Sequence, residues 1–164
     1  MQLLKIMALC GSVAILSGCA TTATDCDPSN RDASLWTKMS CDGSGQYRGH
    51  VDRAEQGLIS AQEDNARFRQ IYADIEAQRD AVGKSLAEQR KRQQTLNRSL
   101  GSLLAQLKAR KSDQKDVVLQ ITDLEASLQK TNTPATSTAA IQAKQKQLDA
   151  LQAKAQRLQK SLEQ

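Results

Sequence analysis

The sequence is poor in aromatic side chains, with one tryptophan, two tyrosines and one phenylalanine in 164 residues. Trp36, Tyr47, Phe68 and Tyr72 are few bulky groups with which to fill a core, and their scarcity predicts an extended chain rather than a compact globule. Only two prolines are present, so long helices meet few forced breaks. A single histidine, His50, leaves Ser-His-Asp and Cys-His constellations without a partner set and reads as a surface or helix-start residue. Gly43-Ser44-Gly45 has neither the lysine nor the flanking strand of a phosphate-binding loop. Cys26, Cys41 and His50 do not supply the paired spacing of a zinc site, and a C-x-x-C redox pair is missing. Acidic residues such as Glu55, Glu63, Asp74 and Glu76 fall along a helical pattern with no cleft expected beside them. The expectation is a non-enzyme without metal, cofactor or small-molecule substrate.

What the chain does have is helix-forming residues and charge of both signs. A mean hydropathy of −0.56 with abundant Ala, Gln, Leu, Lys, Glu and Arg is the profile of long helices and coiled coils. The net charge of +5 is small for a chain of this length. Arg90-Lys91-Arg92, followed by Arg98, Lys108, Arg110 and Lys111, is the one basic concentration. It has no interleaved aromatics for base stacking, so nucleic acid is not expected. A solvated helix face is the first reading and weak contact with anionic cell-wall polymers the second.

The first residues have a different character. Lys5 opens a short basic region, an apolar run follows from Ile6 to Leu16, and small residues come next, which is the three-part form of a secretory signal. The run is about 11 residues, roughly half the length that crosses a bilayer. Leu16-Ser17-Gly18-Cys19 then resembles the lipobox of bacterial lipoproteins. The resemblance covers about 20 residues and implies that residues 1–18 are removed and that Cys19 is acylated to become the mature N-terminus. Each buried methylene of such an anchor contributes about 0.8 kcal/mol, enough in sum to hold a hydrophilic chain at a membrane. In lipoproteins an Asp after the cysteine marks retention at the inner membrane. Ala20 stands there, so the resemblance implies the periplasmic face of the outer membrane.

With Cys10 lost and Cys19 acylated, Cys26 and Cys41 remain. An even pair in an oxidising compartment predicts one disulfide, with free thiols or intermolecular pairing as the alternative. Residues 19–48 then form a tether with a disulfide loop. Within it Ser29 to Met39 is compatible with a short helix whose Trp36 packs on the following helix or else contacts a partner.

From Val51 a heptad register sets in. Its a positions include Val51, Leu58, Tyr72, Leu86, Leu100, Leu107, Ile121 and Leu128, and its d positions Phe68, Ile75, Val82, Leu96, Leu103, Val117 and Leu124. A seven-residue repeat kept in phase this long predicts one coiled-coil helix over 49–130, about 120 Å in length. Polar seam residues Arg79, Gln89 and Gln93, with Gly83 beside them, mark a zone of bending or fraying. Pro134 and the Thr/Ser run around it break the helix at 131–138. A second amphipathic helix over 139–164 has Ile141, Leu148, Ala155 and Leu162 at a, and Lys144, Leu151 and Leu158 at d. It either folds back on the Leu-rich stretch 100–128 as a helical hairpin, the first choice, or continues within an oligomer.

The fold class expected is therefore all-α, a long coiled-coil-type helix and a shorter C-terminal helix after a disulfide-stapled segment. The function expected is a non-catalytic, lipid-anchored helical lipoprotein of the bacterial cell envelope, acting as spacer or scaffold. In outline it resembles murein lipoprotein, but the chain ends Ser161-Leu162-Glu163-Gln164 without a terminal lysine, so covalent wall attachment is not carried over. The alternative is an accessory or adaptor protein of an envelope-spanning secretion, conjugation or efflux machine. Partners expected are membrane lipid through the anchor, and a protein partner or a second copy through the heptad seam.

Overall fold

A computed structural model describes residues 26–163. Among them are five α-helices and no strand: α1 Leu35–Gly43, α2 Gln46–Ala81, α3 Leu86–Arg110, α4 Lys115–Lys130 and α5 Thr138–Leu162. The chain is all-α, as its composition predicts. It divides into two compact units, the boundary falling between Gly57 and Leu58 within α2. The leader and Cys19 lie outside the described residues.

In the first unit, residues 27–32 form side-chain-capped turns instead of the start of a helix. Asp27 Oδ1 accepts from Ser29 N at 2.8 Å and from Ser29 Oγ at 2.7 Å, and Asn30 Oδ1 accepts from Asp32 N at 3.1 Å. Short polar side chains that bond nearby amides compete with helix, which delays α1 until Leu35. Ser34 then caps it, its hydroxyl accepting from Thr37 N at 3.2 Å. Between α1 and α2 Gly45 takes φ 72°, a left-handed conformation that glycine adopts without a Cβ penalty. Cys26 and Cys41 are joined by a disulfide with Cα atoms 5.5 Å apart. That single bond is the staple of a segment with little apolar interior.

The second unit corrects the expectation of one uninterrupted helix over 49–130. The heptad register is cut twice, at 82–85 and at 111–114. At the first cut Gly83 takes φ 90°, ending α2 in the manner of a C-terminal glycine. Ser85 starts α3, its side chain accepting from Glu88 N at 3.2 Å, so Ser85-x-x-Glu88 forms the sequence signature of a capping box. At the second cut Lys108 and Arg110 occupy the last turn of α3 and Asp116 the first turn of α4, charges placed as the helix dipole favours.

Side-chain pairs across the helices run in opposite sequence directions. Asp74 meets Ser99 while Asp64 meets Arg110. Lys108 meets Glu125 while Gln93 meets Thr131. Lys154 meets Asp123 while Ser161 meets Gln120, and Arg79 meets Gln152 while Asn65 meets Gln159. Each helix is thus antiparallel to the next and α5 returns to α2, which closes an up-down-up-down four-helix bundle. The backbones of α4 and α5 approach most closely, in keeping with the small, fully buried Ala155 between them. The C-terminal helix folds back, the first of the two arrangements expected for it.

The bundle also corrects the argument from scarce aromatics. Phe68, Ile71 and Ile75 of α2, the Leu96–Leu107 series of α3, Val117 to Leu128 of α4, and Leu148, Leu151, Ala155 and Leu158 of α5 form one buried cluster. Each large aliphatic side chain removed from water contributes about 1.5–3 kcal/mol. Leucine therefore does the filling that aromatics do elsewhere, and from Phe68 onward the apolar heptad seam, Leu86 apart, is spent inside the unit.

Candidate functional site

Three places carry features beyond packing, one in the first unit and two in the second. In the first, the disulfide fixes which side of α1 is turned inward. Cys41 is fully buried, whereas Leu35, Trp36 and Met39 are 85%, 81% and 70% exposed. At about 100° per residue these three lie between roughly 120° and 160° around the helix axis from Cys41. Trp36 thus does not pack on the following helix, contrary to one of the two expectations for it. His50, in the early part of α2, is half-buried, with its Nε2 enclosed and without a hydrogen-bond partner. The hydrogen bonds from Ser29, first through its hydroxyl and then its amide, hold the Asp27 carboxyl below the usual range, with a smaller contribution from His50.

In the second unit, a polar layer closes the end of the bundle where the α2–α3 and α4–α5 turns meet. Lys144 is 3% exposed, and its ammonium donates to Gln93 Oε1 at 3.0 Å, Thr133 O at 3.1 Å and Thr131 O. Burial pushes its pKa down to about 8, because an ammonium deprived of water is less favourable than the neutral amine. Gln89 spans both turns: its Nε2 donates to Lys84 O at 3.1 Å and Ala135 O at 3.0 Å, and its Oε1 accepts from Ala135 N at 2.9 Å. Gln93 Nε2 donates to Thr131 Oγ1 at 3.0 Å, and Gln78 Nε2 to Gln93 Oε1 at 3.2 Å. The zone expected to bend or fray does turn, at 82–85, and instead of fraying it forms a hydrogen-bonded layer. Beside it opens a cleft of about 220 Å³ that Arg90, Gln94 and Asn132 also line. A lysine with three carbonyl oxygens has its three protons engaged, so Lys144 clasps the α4–α5 turn to α3.

A second groove, of about 460 Å³, lies along α2 and α3. On its floor Asp74, 8% exposed, accepts from Gln70 Nε2 at 3.0 Å and Ser99 Oγ at 2.5 Å. Nothing in the sequence pattern marked Asp74 as buried, because its place outside the a/d seam reads as solvent-facing. Arg67 and Arg98 border the groove.

The basic concentration is partly paired: Arg92 with Glu88 at 2.8 Å, Lys108 with Glu125 at 3.5 Å and Arg110 with Asp64 at 2.5 Å. Such exposed pairs contribute little each, but they spread the charge over several helices. Among the described residues no group of three or more His, Cys, Asp and Glu side chains could hold a metal ion. No helix among them is long and apolar enough to cross a membrane.

The fold defines the class: an all-α chain in which a disulfide-stapled helical segment precedes a four-helix bundle. No family model matches the sequence. No curated protein and no solved structure matches it either.

Proposed function

We propose that the protein is a non-catalytic helical lipoprotein of the bacterial cell envelope, held by acyl chains on Cys19 at the periplasmic face of the outer membrane and serving as a scaffold there. The observation that carries this reading is the leader ending in Leu16-Ser17-Gly18-Cys19. The paired Cys26 and Cys41 support it, since disulfides persist in exported proteins. Intact-mass analysis of the protein from its native membrane tests it. The expected product begins at Cys19 and carries the mass of the acyl groups, and Cys19→Ser moves the protein from the membrane to the soluble fraction. An unmodified Cys19 behind an uncut leader refutes the proposal.

The second reading, an adaptor of an envelope-spanning machine, is favoured by one feature. Leu35, Trp36, Met39, Val51, Leu58 and Ile59 are large apolar side chains that stay exposed, and exposed apolar surface marks interaction sites. On the scaffold reading α3 and α5, of 25 residues each, reach about 38 Å and not the 120 Å of an unbroken rod. In-cell crosslinking from α1 and early α2 that recovers one reproducible protein partner decides for the adaptor.

A further inference from the structure

The exposed face of α1 has chemistry suited to a lipid surface, and the chain places it near one. Leu35, Trp36 and Met39 lie within about 100° of arc on a nine-residue helix. A tryptophan beside two flexible apolar side chains is the composition of a segment lying in the headgroup region, where an indole keeps its N–H wet while its rings leave water. Lys38 and Asp42 lie together along one edge of the arc and Ser40 along the other, so neither sign of charge dominates and the apolar contact is the main attraction.

Position argues the same way. Six residues lie between Cys19 and Cys26, and fully extended the seven steps span no more than about 25 Å. The disulfide then sets Cys41 of α1 with its Cα 5.5 Å from that of Cys26, and Leu35 lies a further 9 Å or so along the helix. Counted along the chain, Leu35 is 16 residues from Cys19 and could lie up to about 56 Å away. The route through the disulfide shortens that reach to about 40 Å. The disulfide also turns the buried Cys41 face toward the loop and the apolar arc outward.

On the reading that Cys19 is acylated, the geometry points to α1 as an interfacial helix that lays Leu35, Trp36 and Met39 into the headgroup region of the bilayer holding the anchor. Three side chains bind such a surface weakly on their own. Beside an anchor the contact becomes intramolecular, with an effective concentration in the millimolar range for a short tether. The bilayer contact then fixes how the first unit stands on the membrane.

Trp36 is the sole tryptophan, so its emission reports α1 alone. The full acylated protein is reconstituted into phosphatidylethanolamine/phosphatidylglycerol vesicles with and without brominated acyl chains. Expected are a blue-shifted emission, quenching by lipids brominated near the headgroups and at least a fivefold loss of quenching by aqueous iodide. The double variant Leu35→Gln/Met39→Gln, which keeps helix formers in α1, should float with vesicles as before but show iodide quenching restored. Cys19→Ser should need at least tenfold more lipid for half-saturation, yet show the same bromolipid quenching at saturation.

Failure of the two readings looks different. An unacylated Cys19 overturns the anchor, and the interfacial helix then stands or falls on bromolipid quenching at saturating vesicles. An acylated, vesicle-bound protein whose Trp36 stays open to iodide overturns the interfacial helix and leaves the anchor standing. So does a blue shift that appears without vesicles and grows with protein concentration, which would assign the face to a second copy, or one that needs an added protein partner.

Discussion

Leu104→Ala separates the closed bundle from a coiled-coil rod with a number. Leu104 lies outside the a/d register yet is fully buried in the cluster shared by all four helices. In a two-stranded rod that position flanks the seam, and truncation to alanine costs less than about 1 kcal/mol, partly offset by alanine's higher helix propensity. In the bundle the substitution loses the transfer free energy of the deleted carbons and leaves a cavity that a four-sided core cannot collapse. The expected cost is about 3 kcal/mol, within the 2–5 kcal/mol observed for such truncations. For a unit of roughly a hundred residues this lowers the melting temperature by about 12–20 °C. In urea the midpoint falls by roughly 1.5–2 M at unchanged slope. Leu119→Ala is the control: Leu119 is 68% exposed and should change stability by less than about 0.5 kcal/mol. A Leu104→Ala cost below 1 kcal/mol, or one that vanishes as protein concentration rises, would refute the bundle packing.

Three further outcomes are expected. Between pH 8 and 10.5 the folded chain releases the Lys144 proton while the unfolded chain keeps its own, so stability should rise with pH over that window. The rise is on the order of 1–2 kcal/mol once the three carbonyl acceptors and nearby solvent are discounted, and urea melts at pH 7.5 and 10.5 should show it in the wild type and not in Lys144→Met. Gly83→Ala forces a Cβ into a φ of 90° and should cost about 1–2 kcal/mol by thermal melting, although the added methyl meets Ile141 Cδ1 only at an ordinary 3.5 Å. Reducing the Cys26–Cys41 bond should lower hydrogen-exchange protection of α1 about a hundredfold, the scale of a loop of 16 residues or so, while the amides of α3 and α5 keep theirs.

The four inward faces of the bundle were readable because heptad positions and bundle-core positions coincide over most of their length. Leu100, Leu107, Ile121 and Leu128 are inside for the same reason in either architecture. What the seam did not reveal is the width of the buried stripe: Ile71, Gln78 and Leu104 are enclosed although they flank the a/d positions, since a helix in a closed bundle faces two neighbours instead of one. The first helix break was legible in kind, from Gly83 followed by Ser85-x-x-Glu88, but the continuing register concealed it. Because the turn happens to preserve phase, periodicity alone could not distinguish a reversal of the chain from a straight run. Lys144 at a d position read as an interruption of the apolar pattern. Its reason lies 11 to 13 residues away, in the carbonyls of Thr131 and Thr133, which only a folded-back α5 brings within reach.

A polar layer at one end of an otherwise aliphatic bundle has a structural consequence of its own. Leucines pack tolerably in several registers, so an all-Leu interior specifies topology poorly. Gln89 and Lys144 remove that latitude, because any slip of α3 or α5 by one turn would strand an ammonium and several turn carbonyls without partners. The bundle thereby acquires a fixed register at the price of little apolar burial, and it keeps its aliphatic seam for itself. Of the large apolar side chains left exposed among the described residues, all but Leu86 and Leu119 lie before residue 60. A chain that spends its seam internally has little greasy surface to offer a partner from its C-terminal helices. Recognition of lipid or protein should then concentrate in the segment that the disulfide holds together, and substitutions on the outer faces of α4 and α5 should be nearly silent in any binding assay that substitutions in α1 disrupt.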